Sequence, residues 1–381
     1  MPNQTHLFQP ITLRGVTLKN RIVVSPMCQY AAQHGLVGDW HKVHLGRFAM
    51  GGAAAVCVEA TAVEARGRIT HGDVGIWTDE QGKALAGVAS AIAACGAVPA
   101  IQLGHAGRKA SMQRPWFGNG PLQATDIARG DPPWDVVSAS AEPINDTWLL
   151  PHALDAAELD ALEESFRKAA ARAIAGGFKL LELHMAHGYL LHQFLSAQSN
   201  KRQDAYGGDL AGRMAFPLRV AKAVREAAGE SIPVFVRISA QEPADAAWNM
   251  PDNLALAAAL KAIGIDAIDC STGGLGGSAT AQPLVRKPGF QVPYAAEIRK
   301  QAGIATMAVG LIMDGPQAEA ILAEGSADLI AVGREFLRDP NWALNAALAL
   351  GSDGAAQDNP GWDTWPEASG WWLRRRRVGA A

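Results

Sequence analysis

The feature that most constrains the fold is a regular alternation of short apolar segments with longer alanine-rich segments. The short ones are rich in Val and Ile, as strands are, whereas the long ones repeat apolar residues every three to four positions, which is typical of amphipathic helices. The predicted strands are 21–27, 54–63, 98–107, 178–188, 232–240, 265–274, 304–312 and 327–337. The predicted helices are 39–50, 80–96, 156–177, 210–229, 253–264, 294–303, 316–325 and 341–351.

This alternation predicts an α/β fold with a parallel sheet covered by helices. Eight strand–helix units are the number that closes a (β/α)8 TIM barrel, and we predict a single barrel over residues 1–351. A doubly wound open sheet is the alternative, because periodicity does not reveal whether the first and last strands pair. Residues 108–150, rich in Pro, Trp and Gly, should form a loop or hairpin that caps the barrel, and 352–381 an irregular C-terminal tail.

Composition argues against several classes of partner. The net charge of −3 gives no general attraction to nucleic acid or to an anionic membrane. No apolar run has the ~18–20 residues that a membrane span needs. The four cysteines are scattered without CxxC spacing, which is typical of proteins in a reducing compartment, and the N-terminus lacks the pattern of a secretion signal. We therefore expect a cytoplasmic enzyme with a small-molecule substrate.

Polar side chains concentrate at the carboxyl ends of the predicted strands, where barrel enzymes place their active sites. The fourth strand ends in "HMAHGYLLHQF", which carries His184, His187 and Tyr189. Other strand ends carry Cys28, Tyr30, Gln102, His105, Arg108, Lys109 and Arg237. The last three strands end in glycine-rich turns, "STGG", "VG" and "GRE", whose amides suit a phosphate group. The residues alone thus predict a phosphate-bearing ligand that faces reactive side chains from the first, third and fourth strands.

The motifs along the chain resemble those of the Old Yellow Enzymes, in particular the thermophilic-like subgroup that includes xenobiotic reductases. They occur in the family's order over about residues 5–345 and include "SPMCQY", "QLGHAGRKAS", "HMAHGYLLHQFLSAQSN", "STGG" and "AVGREFLRDP". The resemblance implies FMN in a (β/α)8 barrel, NADPH or NADH as the reductant, and electron-poor alkenes as substrates. It also implies a homodimer or homotetramer.

The resemblance implies roles for three residues of the fourth strand end. His184 and His187 would donate hydrogen bonds to a carbonyl or nitro oxygen of the substrate, which makes its β-carbon electrophilic. Tyr189 would donate the proton that reaches the α-carbon. From the residues alone two alternatives stay open for the histidines: a structural role, or a metal site of a lyase or hydrolase.

The remaining predicted site residues follow from the same resemblance. Cys28 and Tyr30 would contact the substrate, with Cys28 also close to the flavin. A flavoprotein needs groups that form hydrogen bonds or ion pairs with the flavin ring and with the phosphate, and an arginine can do both. The predicted FMN contacts are Pro26, Met27, Cys28, Ala60, Gln102, Arg237, Gly274, Gly310, Gly333 and Arg334. Lys109 would contact cofactor or substrate. For Arg237, an ion pair inside the barrel is the alternative. The "RRRR" run at 374–377 is either a tail that reaches a neighbouring subunit or a solvated basic end.

Overall fold

A computed structural model describes residues 5–242, 248–276, 286–351 and 362–375 of the chain. Eight parallel strands of the central sheet close the barrel, and we number them β1–β8; a ninth, the short strand Val74–Gly75, pairs with the end of β2. They are Ile22–Val24 (β1), Ala55–Ala62 (β2), Val98–Gly104 (β3), Leu180–Met185 (β4), Val234–Ser239 (β5), Ala267–Ser271 (β6), Ala305–Ala308 (β7) and Leu329–Val332 (β8). β1 pairs with β2 on one side and with β8 on the other, so the sheet closes on itself. The predicted barrel is confirmed, and the open sheet is wrong.

One helix of nine or more residues follows each strand. A long excursion separates β3 from its helix, and the short helices Leu190–Leu195 and Arg334–Arg338 precede the longer ones after β4 and β8. The eight helices are Asp39–Met50 (α1), Asp79–Ala94 (α2), Ala156–Ala175 (α3), Leu210–Ala228 (α4), Met250–Ala262 (α5), Val292–Ala302 (α6), Gly315–Ala323 (α7) and Trp342–Leu350 (α8). Several begin after an N-cap residue whose side chain accepts a backbone N–H of the first turn: Thr78 for α2, Asp155 for α3 and Asp314 for α7. None of the described helices combines the length and the apolarity needed to cross a bilayer.

Alternating strand residues divide the core into two layers. The outward-facing residues, among them Leu181, Leu183, Val236 and Ile268, pack against the helices in one large cluster. The inward-facing residues form a smaller cluster that fills the lower barrel: Leu18, Val23, Ala54, Ala55, Cys57, Ala100, Leu180, Phe235, Ala267, Met307, Leu329 and Ala331. Truncating the fully buried Phe235 to Ala should cost about 3–5 kcal/mol, because the barrel interior cannot collapse around the missing ring.

The two ends of the barrel are covered differently. At the amino end, the hairpin of Ile11–Leu13 and Val16–Leu18 packs its apolar residues against the inner cluster. At the carboxyl end, the excursion after β3 contacts the site through the ring of Trp116, whose centroid lies 5.9 Å from that of Tyr30. Its paired segments Val137–Ser138 and His152–Ala153 run parallel and so do not form a hairpin.

The C-terminal tail, which was predicted to be irregular, contains a helix. Glu367–Arg374 is a helix, and Arg375 lies over the ring of Trp371 at 3.7 Å from its centroid. Arg376 and Arg377 of the basic run lie outside the described residues. The expectation of an irregular tail is therefore wrong for this helix, where a proline precedes a run that is favourable for helix formation.

Candidate active site

A cavity of about 330 Å³ opens at the carboxyl ends of β5–β8 and β1. Such a volume lies at the lower end of the range for small-molecule sites, about 300–1,000 Å³. The predicted site residues that line it are Pro26, Met27, His187, Arg237, Gly274, Gly310, Gly333 and Arg334. Ala60, His184 and Tyr189 instead line a neighbouring small recess together with Asp73 and His105. Cys28, Tyr30 and Gln102 line neither space.

Glycine turns form one wall of the cavity. Gly274 and Gly310 have φ of +105° and +114°, a backbone conformation that other residues rarely adopt. A Cβ on Gly274 would lie 2.4 Å from backbone atoms of His187, so this turn can approach the end of β4 only as glycine. Gly333 and Arg334, which follow β8, complete the wall with exposed backbone and one guanidinium. The three glycine-rich turns predicted from sequence thus converge.

A directed chain of hydrogen bonds connects the two histidines at the end of β4. The backbone N–H of Ala186 donates to Nδ1 of His184 (3.2 Å), so the proton of the neutral His184 ring is on Nε2. That nitrogen lies 3.2 Å from Nδ1 of His187, and Nε2 of His187 lies 2.7 Å from Oγ of Ser271. In this arrangement each imidazole donates its N–H in turn, from His184 to His187 and from His187 to Ser271.

Both histidines are neutral. Burial is the main cause that lowers the pKa of each ring well below its usual value, and the charge of Arg237 lowers it further. His187 has φ of +59°, the left-handed region that non-glycine residues occupy at a cost of about 1–3 kcal/mol. Its N–H donates to Oγ of Ser239 (2.9 Å), which helps to hold this conformation.

Tyr189 packs beside the histidines at the recess. Its ring stands perpendicular to that of His184, with centroids 4.9 Å apart. Burial, with smaller contributions from Cys28 and Asp73, raises the pKa of the phenol well above its usual value, so it stays protonated at neutral pH. Cys28 and Ala60 pack against the same apolar cluster as Tyr189, and burial raises the pKa of the Cys28 thiol as well.

Lys109 is fully buried, and its ammonium group ties two loops together. Nζ donates to the carbonyl oxygens of His187 (2.8 Å) and Gly274 (2.7 Å), and it lies 5.1 Å from the centroid of the Tyr189 ring. Burial and the neighbouring charge of Arg108 lower the pKa of Lys109 to about 7. The turns that follow β4 and β6 are therefore fixed to each other by a side chain from the segment after β3.

Gln102 and Arg237 lie lower, inside the barrel. Nε2 of Gln102 donates to Oε1 of Glu182 (2.7 Å), and Nε of Arg237 lies 3.2 Å from Oδ2 of Asp269. The ion pair considered for Arg237 from sequence is thus present, while its side chain also lines the cavity. Glu182 and Asp269 were not singled out from the sequence, because each is a lone acid within an apolar strand, although such placement is itself unusual.

Other residues of the cavity wall were also missed. Thr272 and Gln291 form a side-chain pair there, with Oγ1 of Thr272 donating to Oε1 of Gln291 (2.7 Å), and Ser25, Arg286 and Phe290 lie nearby. Gln291 and Phe290 precede α6 in a turn with no motif of its own. Only the chain's return to the barrel mouth brings them to the site.

A sequence profile described as the NADH:flavin oxidoreductase / NADH oxidase family matches residues 6–351. The chain belongs to this family. The NADPH dehydrogenase of Geobacillus sp. (strain WCH70) is 41% identical over 364 residues, which cover 94% of this chain and 99% of that protein. The NADPH dehydrogenase of Listeria innocua serovar 6a (strain ATCC BAA-680 / CLIP 11262) is 43% identical over 347 residues, or 91% and 95% of the two chains.

Solved structures agree with this assignment. Morphinone reductase in complex with tetrahydroNAD superposes with a TM-score of 0.73 and is 26% identical, over 90% of this chain and 91% of that one. The resemblance to the Old Yellow Enzymes is confirmed. The chain is an NAD(P)H-dependent flavin oxidoreductase of this type, with FMN as its cofactor. Within the described residues no three His, Cys, Asp or Glu side chains converge as a metal site would require, and the metal-dependent alternative is not favoured.

The residues at the cavity fit FMN. Three cationic side chains, Arg237, Arg286 and Arg334, line it, and glycine turns leave backbone groups open toward it. Ser25 Oγ is buried at the wall and has no hydrogen-bond partner among the described residues, as expected of a group that a ligand would satisfy. Arg334 and the turns at Gly310 and Gly333 would hold the phosphate, and Arg237 the electron-rich side of the ring.

Proposed function

We propose that this oxidoreductase reduces the C=C bond of α,β-unsaturated carbonyl and nitro compounds, with His184 and His187 polarising the substrate oxygen and Tyr189 protonating the α-carbon. The observation that carries the proposal is the His184–His187 contact, in which two ring nitrogens face each other at 3.2 Å between the cavity and the recess of Tyr189. Bound FMN, once reduced by NADPH or NADH, supplies the hydride that the β-carbon receives.

Donation to a substrate oxygen requires a change of tautomer at His187. His184 already presents Nε2–H toward His187. If the Ser271 hydroxyl donates to Nε2 of His187 instead of accepting from it, His187 carries its proton on Nδ1 and presents that N–H toward the same point. Two neutral donors then converge on one oxygen and stabilise the negative charge that develops there.

Tyr189 supports the second half of the reaction. Its raised pKa keeps the proton on the phenol at neutral pH, and the nearby Lys109 ammonium favours the phenolate that forms once the proton has been given up. Cys28 and Tyr30 would shape the substrate pocket from the opposite side, because both interact with the Tyr189 region. Water can replace the phenol as a proton donor, so we expect Tyr189 to accelerate the step rather than to be indispensable.

An anaerobic titration tests the proposal directly. The yellow FMN-loaded protein should bleach with NADPH or NADH, and 2-cyclohexenone or, separately, a nitroalkene should restore the colour. Bleaching without reoxidation by either compound would agree with a flavin oxidoreductase but would contradict the proposed reduction of alkenes. His184→Ala serves as the matched comparison, since it should bleach normally but reoxidise slowly.

For assembly, we propose that residues 352–381 form a tail that reaches a neighbouring subunit of a homodimer or homotetramer. The described part supports this through Trp371 and Trp372, which are 42% and 70% exposed on the helix Glu367–Arg374. Light scattering of the full chain and of a chain ending at Gly351 checks it. An unchanged molar mass per particle would argue against the tail as an assembly element.

A further inference from the structure

Four polar side chains occupy one level of the barrel interior beneath the cavity. Gln102, Glu182, Arg237 and Asp269 come from the adjacent strands β3–β6, and all are between 0% and 8% exposed. The strand register places Gln102 beside Glu182 and Arg237 beside Asp269. Neighbouring inward positions on the same strands are apolar, such as Leu180, Phe235 and Ala267. A polar layer in this position calls for a reason, because burying ionisable groups is costly.

The charges in this layer require a proton on one of the two acids. Glu182, Asp269 and Arg237 are all buried, so with every group ionised the layer would carry one uncompensated negative charge inside the barrel. Arg237 lies 3.2 Å from Oδ2 of Asp269, whereas Oε1 of Glu182 accepts from the neutral amide of Gln102 at 2.7 Å. Glu182 is therefore the acid that holds the proton, because a cation compensates the charge of Asp269.

With one shared proton the layer is electrically neutral. The dyad of Glu182 and Asp269 carries one negative charge, and Arg237, at 3.2 Å from Asp269, carries one positive charge. Burial and mutual repulsion raise the pKa of both acids, while Arg237 opposes the shift. The other titratable groups that face the layer are the Cys57 thiol from β2 and the two imidazoles above Arg237, all held neutral by burial.

We propose that Glu182 and Asp269 store a proton and take up a second one when FMN in the cavity is reduced. This inference rests on the proposed placement of FMN beside Arg237. Reduction brings negative charge to the cavity, and a neutral layer can offset it only if Arg237 is released from Asp269. Protonating the second carboxyl releases it: a proton from bulk water forms one new O–H bond, no electron enters the dyad, and the proton leaves again when FMN is reoxidised.

Counting protons tests the proposal. The FMN-loaded protein is reduced electrochemically in weakly buffered solution with a pH indicator, without NADPH and without an alkene. Asp269→Asn should take up one proton fewer per FMN reduced than the wild-type protein. Glu242→Gln is the matched control: Glu242 is a buried carboxyl that accepts from Ser196 outside the barrel, so its loss should leave the uptake unchanged. Equal uptake by the wild type and Asp269→Asn would overturn the proposal.

A second measurement covers the case in which Asp269→Asn does not fold or retain FMN. In the wild-type protein alone, the infrared difference spectrum between the reduced and oxidised states should gain the band of a protonated carboxylic acid. A spectrum without this band would contradict the inference by itself. Because neither measurement uses an alkene, its outcome is independent of whether the protein reduces alkenes.

Discussion

The two turns that carry the proposed substrate contacts, residues 28–30 after β1 and 187–189 after β4, are held in opposite ways. Each contains a non-glycine residue in the left-handed region, Tyr30 with φ of +53° and His187 with φ of +59°. Each is supported by a buried pair of one histidine and one glutamate. The pairs differ in which partner touches the turn, and this decides how each turn responds to mutation and pH.

In the 187–189 turn, the imidazole makes the contact. The N–H of Gly188 donates to Nδ1 of His192 (2.9 Å), and Nε2 of His192 faces Oε1 of Glu242 at 3.1 Å. Ser239 of β5 and Lys109 of the segment after β3 hold the same turn. Three side chains from different parts of the chain thus contact this turn, and no single contact is decisive.

In the 28–30 turn, the carboxylate makes the contact. The N–H groups of Gln29 and Tyr30 both donate to Oε2 of Glu59, at 2.7 and 3.4 Å, while His41 lies behind it at 3.6 Å. Burial raises the pKa of Glu59 to about 8, despite these two N–H donors. The comparison teaches that the β4 turn is fixed by redundant contacts, whereas the β1 turn depends on one ionisable group.

The largest expected effect comes from removing the His187 hydrogen-bond donor of the 187–189 turn. His187→Gly should lower the rate of alkene reduction by about 100- to 1,000-fold, because one N–H of an oxyanion-type pair is lost. Glycine tolerates the left-handed backbone, so folding should not suffer. His187→Asn, which keeps a donor and also tolerates this conformation, should recover part of the rate. Stopped-flow reoxidation with 2-cyclohexenone measures it, and an equal loss in FMN bleaching by NADPH would contradict a role confined to the alkene.

Replacing Tyr189 and Tyr30 by phenylalanine, one at a time, tests whether both turns contribute to proton transfer. Tyr189→Phe should slow reoxidation by about 100-fold, the lower end for a general acid, because water can substitute. Tyr30→Phe should change it much less. Burial raises the pKa of both phenols, so both are protonated at neutral pH. Their protonation state therefore does not show which of the two is the proton donor. Rates and solvent isotope effects compared between the variants decide the matter, and a larger loss in Tyr30→Phe would reverse the assignment of the donor.

The pH dependence of stability should separate the two glutamates. The pKa of Glu59 rises from 4.5 to about 8 and that of Glu242 from 4.5 to about 7, mainly by burial. A raised carboxyl pKa means that the folded state holds its proton more tightly, so stability is full below the unfolded pKa and declines as pH rises toward the folded one. Each carboxyl should therefore contribute a loss of stability, Glu59 between about pH 4.5 and 8 and Glu242 between about pH 4.5 and 7.

Urea unfolding at a series of pH values measures this decline. Glu59→Gln should flatten it up to about pH 8, and Glu242→Gln only up to about pH 7. The two amides are matched in size and burial. Profiles that stay parallel to the wild type in both variants would mean that neither carboxyl gains a proton on folding.

The smallest expected effect is at Cys28. Cys28→Ala should change kcat/KM for an enone by about two- to five-fold, because a thiol is a weak hydrogen-bond partner worth about 0.5–1 kcal/mol. Burial keeps the thiol protonated, so alkylation by iodoacetamide at neutral pH should be slow. Cys57→Ala, deeper in the barrel, controls for simple loss of packing. A loss as large as that of His187→Gly would point to a direct part in the chemistry.

Much of the fold could be predicted because its determinants are local. The helix α1 was predicted at 39–50, as observed, since its amphipathic pattern is bounded by glycines. Strands were predicted too long at their carboxyl ends: the fourth was expected to reach residue 188 but β4 ends at Met185. Apolar and small residues continue past the point where pairing stops, and only the left-handed backbone at His187 marks the turn.

The sequence by itself determined the eightfold alternation, the strand ends that carry chemistry and the family motifs, because periodicity and residue order are properties of the chain. The tertiary structure alone decided the closure between β1 and β8, the buried layer that contains Glu182 and Asp269, and the two histidine–glutamate supports. Those partners lie far apart in sequence, His192 and Glu242 by 50 positions. Their pKa values depend on the water that folding removes, which no local pattern encodes.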